Sequence, residues 1–249
     1  MKNILLLIII TTLFFTACKK DPIPTYLTLY FTHTVDGVPL KLTTNNSELP
    51  YTNAAGQHYN VKTLQYLISN ISMHAAFGGV YKEFHFVDAA DPSTLKLELG
   101  ELTNNSGHST FQFNIGFPDN MNISNAYVNE DFHTTMAWPE TMGGGYHYMI
   151  LEGNFDNDTT FYNTHTGGFF QGWGSRYISI YPGSNFAMIS FNVDDELGNV
   201  DITLNMEINN WYEGPTVVSL TSDGIMGNDS IQDILQNNGY VFTNSVVYE

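Results

Sequence analysis

The chain has 249 residues, 8 Lys+Arg against 25 Asp+Glu, and a formal charge of −17 at pH 7. A surface this acidic repels phosphate backbones, which argues against nucleic acid as a partner. With 43% hydrophobic and 14% aromatic residues the chain carries too much apolar matter for a disordered one, and its single cysteine excludes an internal disulfide framework.

The N-terminus opens with Lys2 and an apolar run from Leu5 to Phe15. That run falls short of the roughly 20 residues a membrane span takes and fits a secretory signal peptide. Phe15-Thr16-Ala17-Cys18 resembles a bacterial lipobox, in which the cysteine takes a diacylglycerol and becomes the new N-terminus. The expected organisation is a signal peptide over 1–17, a lipidated tether over 18–25 and a single domain over 26–249. Pro22 and Pro24 keep the tether out of regular structure. Acyl chains would hold the protein on a bacterial membrane, facing the periplasm or the cell exterior.

Beyond the tether, Tyr26 to Phe31 alternates in strand fashion, and Asp36-Gly37 marks a hairpin turn before Val38 to Leu42. Val61 to Met73 reads as one long or two short strands, followed by Tyr81 to Val87. In Thr110 to Phe117, Phe111, Phe113, Ile115 and Phe117 share one face. Gly145 to Gly153, Arg176 to Tyr181, Phe186 to Val193 and Asp201 to Asn209 repeat the pattern. One helix is expected near the C-terminus, capped by Asp229 or Ser230, with Ile231, Ile234 and Leu235 as its apolar stripe and Gly239 past its end. The expected fold is all-β, an antiparallel β-sandwich or flattened barrel with one short C-terminal helix.

Catalytic motifs are scarce. There is no nucleophile elbow, no zinc-protease helix, no P-loop and no dinucleotide fingerprint, so the chain is expected not to be an enzyme. A carboxylate pair of the glycosidase type has no specific support. The stretch from Asn154 to Asp158 is oxygen-rich but lacks the spacing of a calcium loop. With Cys18 consumed by lipid, a soft-metal site falls to histidine, a ligand suited to copper and zinc. The histidines are His33, His58, His74, His85, His108, His133, His147 and His165. His33 follows the first strand. His165 precedes Gly167-Gly168, where the backbone can fold closely around a ligand. Trp138 precedes a proline and so belongs to extended or loop structure.

Several segments, in order, resemble the MbnP-like family of methanobactin-associated copper-binding proteins. They are Leu29 to His33 with Val35 to Leu40, Tyr51 to Gly56, Val61 to Ile71, Phe111 to Gly116, Met136-Ala137-Trp138 and Gly145-Tyr146. Leu151 to Gly153, His165 to Gly167, Ile225 to Asn228 and Asn238 to Phe242 complete the series. The resemblance implies an all-β, exported, copper-binding protein. Its relatives bind copper through histidines and a tryptophan oxidised to kynurenine by a dihaem partner of the cytochrome c peroxidase type, and the cofactor expected here is copper, as Cu(I) or Cu(II). Carried over by motif, His33 and His165 are the candidate ligands, Met136 and His147 weaker neighbours, and Trp138 the candidate for oxidation. Asp36 and Glu152 are candidates for orienting the imidazoles. The chain departs from the pattern at Glu140, where the family often has a second tryptophan, and in the glycine cluster between Trp138 and Tyr146. The alternative reading is a metal-free surface sandwich binding carbohydrate or protein, with Trp173 and Trp211 stacking on sugar rings.

Overall fold

The structure, a computed structural model, describes residues 25–75, 80–102, 107–168, 178–179, 189–193, 199–238 and 242–248. The expected signal peptide and tether up to residue 24, Cys18, Trp173 and Gly239 lie outside the described residues.

In chain order the strands are β1 (Thr25–Val35), β2 (Val38–Pro39), β3 (Tyr51–Thr52), β4 (His58–Tyr59), β5 (Thr63–Ala75), β6 (Val80–Asp88), β7 (Lys96–Leu102) and β8 (Gly107–Ile115). After the short helix α1 (His133–Met136) come β9 (His147–Asn154), β10 (Phe161–Gly167), β11 (Ile178–Ser179), β12 (Ile189–Val193) and β13 (Asn199–Glu207). The helical turn α2 (Asn210–Glu213), helix α3 (Asp229–Asn237) and strand β14 (Phe242–Tyr248) follow.

Two sheets form the sandwich. The first runs β14-β13-β1-β2, with β7 pairing the N-terminal half of β1. In the second, β5 is central, with β6 on one edge and β9, then β8, along the other; β10 extends it beyond β9. The fold is all-β with mostly antiparallel pairing, as expected; the β1–β13 pair is parallel. Alternation explains the core. Leu27, Leu29, Phe31 and Val35 of β1 and Val200, Ile202, Leu204 and Met206 of β13 meet Leu64, Tyr66, Ile68, Met149 and Leu151 of the second sheet.

The outer face of the second sheet is covered as well. Phe117, Met121, Phe132, Met136 and Tyr146 from the long segment between β8 and β9 pack with Leu67 and Ile150 into a second apolar cluster. Tyr146 anchors this cover: its hydroxyl accepts from the Tyr127 N–H at 3.1 Å and pairs with His133 Nδ1 at 2.9 Å.

The expected C-terminal helix is α3. Its N-cap is Asn228 rather than Asp229 or Ser230, because Asn228 has the extended backbone a cap needs and its side chain accepts from the Ile231 N–H. Among the described residues no helix is long and apolar enough to cross a membrane.

Candidate functional site

The candidate site lies where the second sheet meets its cover. Trp138, in the loop ahead of β9, is fixed at three points. Its backbone N–H donates to Gly145 O at 2.9 Å, its Nε1 donates to Met142 O at 3.0 Å, and its ring lies on Gly167 of β10. The chain returns from Trp138 to β9 through Gly143, Gly144 and Gly145, all with φ between 70° and 110°. Only glycine enters that region without strain, so the cluster that departs from the family pattern is the turn that seats the indole.

His147 and His165 converge through a register irregularity. His165 pairs with Ile150, and Thr166 with Met149, but Gly167 pairs with His147, so Tyr148 is skipped. The extra residue restores His147 to the face that carries His165 and Gly167. The two imidazole rings stand 4.9 Å apart, centroid to centroid, at 84°, and Trp138 meets His147 at 4.8 Å and 69°.

The hydrogen bonds select one nitrogen on each ring. A carbonyl oxygen can only accept, so His147 Nδ1 donates to Met136 O at 3.1 Å and leaves Nε2 as the open atom. A carboxylate can likewise only accept, so His165 Nε2 donates to Glu152 Oε1 at 2.8 Å and leaves Nδ1 open. Both open atoms, His147 Nε2 and His165 Nδ1, are buried without a hydrogen-bond partner. Burial, reinforced by the neighbouring His165 and opposed by the bond to Met136, lowers the His147 pKa to about 4, so this ring is neutral at pH 7. Glu152 is held below the ordinary carboxylate range, first by its bond from His165.

Two metal–nitrogen bonds of about 2 Å plus the ring radii reach about 6 Å, so rings this close can share one ion in a bent arrangement. Among the described residues no group of three or more His, Cys, Asp or Glu is placed to hold a metal. A metal here would rest on the two imidazoles and a donor of another type.

The structure does not bring His33 to this pair. His33 faces the interior of the sandwich, where its Nε2 lies 3.2 Å from the Tyr66 hydroxyl. Tyr66 aligns with Met149 and Thr166, on the opposite face of the sheet from His165. Asp36 takes an amide hydrogen of Asn209, and among the described residues it has no hydrogen bond to an imidazole. Met136 supplies its carbonyl to His147 while its side chain fills the second cluster. His85 is packed on Phe31 and bound to Thr94 O, and His58 is exposed. Trp211, one of the two tryptophans considered for sugar stacking, is fully buried. Sequence reasoning gave His147 only as a weaker neighbour, because the skipped residue that turns it toward His165 is invisible in the strand pattern. It also passed over Gly167 as the seat of Trp138, although a glycine inside a strand signals close approach.

A two-sheet β-sandwich with a covered outer face, holding two adjacent imidazoles with buried open nitrogens beside a tryptophan, is the class defined by this geometry. The chain belongs to the MbnP family, whose model matches residues 24–230. MbnP from Methylosinus trichosporium is a similar solved structure: 11% identity, TM-score 0.49, covering 90% of this chain and 99% of its own. No curated protein matches in sequence.

Proposed function

We propose that this chain is a lipid-anchored, extracytoplasmic copper-binding protein without catalytic activity, holding one copper ion on His147 Nε2 and His165 Nδ1. The observation that carries the reading is the pair of buried, unpartnered ring nitrogens on adjacent imidazoles. A buried acceptor without a partner carries a desolvation cost, and a soft cation that takes neutral imidazole relieves two at once. Trp138, in ring contact with His147, would become the third donor on oxidation to kynurenine by a dihaem partner, as family resemblance implies. The acidic chain concentrates cations at its surface. Attachment through Cys18 would keep the domain at a membrane.

Copper titration of the purified protein tests the reading. One equivalent is expected to bind the parent, and both His147→Ala and His165→Ala are expected to lose it, with His33→Ala unaffected. Equal binding by parent and both site variants would remove the assignment. Intact mass of protein from its native host reads the tryptophan: kynurenine loses one carbon and gains one oxygen.

A further inference from the structure

We propose that Glu152 is the counter-charge of the cation held by the imidazole pair, acting through the His165 ring; this rests on the metal-binding reading above. Glu152 lies on β9 two residues from Ile150, the partner of His165, and so on the same face of the sheet. Its side chain is only 27% exposed, and its Oε1 accepts from His165 Nε2. Thr63, directly opposite on β5, also hydrogen-bonds it. Among the described residues no Lys or Arg forms an ion pair with it: the ion pairs of lysine are Lys41–Glu48 and Lys96–Glu98, both on the surface. The nearest lysine in sequence to Thr63, Lys62, turns its ammonium to Asn46. A carboxylate held half out of water is normally compensated by a positive charge. The group in front of it is the His165 imidazole, and an ion on the open Nδ1 excludes a second proton from that ring, so in the loaded site the compensating charge is the ion itself.

The two rings thereby differ in role. His147 is oriented by a neutral carbonyl and His165 by an anion. A carboxylate behind a ligating imidazole fixes its tautomer and makes it a stronger donor. A monovalent ion on two neutral imidazoles, with one carboxylate behind them, is a site with no net charge. Glu152 is therefore a positioning and charge-balancing residue that does not touch the metal.

The test separates orientation from charge. Glu152→Gln keeps an oxygen that accepts from His165 Nε2–H and removes the charge; Glu152→Leu removes both. Cu(I) affinity is measured by chelator competition at 0.15 M salt, where exposed charges are screened beyond about 8 Å. Glu101→Gln, which removes the same charge from an exposed position on the other sheet, is the control. Glu152→Gln is expected to weaken Cu(I) binding about 10- to 100-fold, with Glu101→Gln unchanged. Long-range proton–nitrogen NMR of the metal-free protein reads the His165 tautomer directly. The hydrogen is expected on Nε2 in the parent and in Glu152→Gln, and redistributed in Glu152→Leu. Equal Cu(I) affinity of parent and Glu152→Gln overturns the counter-charge alone. A parent tautomer with the hydrogen on Nδ1 overturns the positioning role whatever the metal does. A parent that binds no Cu(I) removes the metal-binding reading and the counter-charge together.

Discussion

Gly167→Ala adds one methyl group at the closest approach in the candidate site. A Cβ built there meets Trp138 Cε3 and Cζ3 at 2.5 Å and Cδ2 at 2.9 Å. Carbon atoms rest at about 3.5–4.0 Å, so the indole must retreat by about an ångström. It has nowhere to go at low cost. One side carries His147, the backbone N–H is tied to Gly145 O, and Nε1 is tied to Met142 O. Overpacking of this kind costs about 1–3 kcal/mol, partly offset by the lower unfolded-state entropy of alanine, about 0.4–1 kcal/mol. The net expectation is a loss of about 1–2 kcal/mol, or about 2–8 °C in Tm for a domain of this size. Urea unfolding read by circular dichroism measures it, and a double-mutant cycle gives the cause. In a Trp138→Ala background the methyl enters the space the indole left, and Gly167→Ala should be neutral or stabilising. The coupling between the two sites should then be about 2 kcal/mol. The same penalty in both backgrounds would refute the claim that Gly167 is a glycine because of Trp138.

Two further predictions concern stability. Burial lowers His33 and His147 to about 4, against about 6.5 in the unfolded chain, so the unfolded state binds more protons between those values. Their contribution is present above pH 6.5 and is lost as pH falls to 4, by about 3 kcal/mol for each ring. Urea midpoints at pH 7.5 and 4.5 should fall accordingly, with a flatter profile in His33→Gln; a pH-independent midpoint would contradict the burial argument. Separately, Glu207 accepts from the Asp36 and Gly37 N–H groups and from the Thr34 hydroxyl, clamping the first hairpin turn to β13. Glu207→Ala should cost about 2 kcal/mol in the same urea assay, and an unchanged midpoint would show that the turn needs no clamp.

Much of the fold was legible locally. Alternation in β1 and β13 marked their inward faces, because a side chain on a strand has only two directions. Asp36-Gly37 marked the first hairpin, and both residues take positive φ there. Pro139 kept Trp138 out of helix: α1 ends at Met136, and Ala137, just ahead of Trp138, is in extended backbone bridged to Tyr146. Strand partners were less legible. β1 and β13 pair in parallel although more than 160 residues separate them, and nothing local in either strand specifies that choice. β7, β10 and β14 did not stand out as strands, and β14 pairs along β13 only once that strand is seated.

The candidate site divides the same way. The residue types, the scarcity of thiol, the Trp-Pro junction and the glycines beside it were set by the amino-acid sequence itself, because each acts through chemistry or backbone freedom that a residue carries with it. The convergence of His147 on His165, and the separation of His33 from both, were decided by tertiary structure alone. One skipped residue at Tyr148 reverses which face His147 occupies, and one sheet between Tyr66 and Ile150 divides the histidines. A strand pattern records that side chains alternate. Which strand lies beside it, in what register, and what covers the far face are settled only when the sheets close.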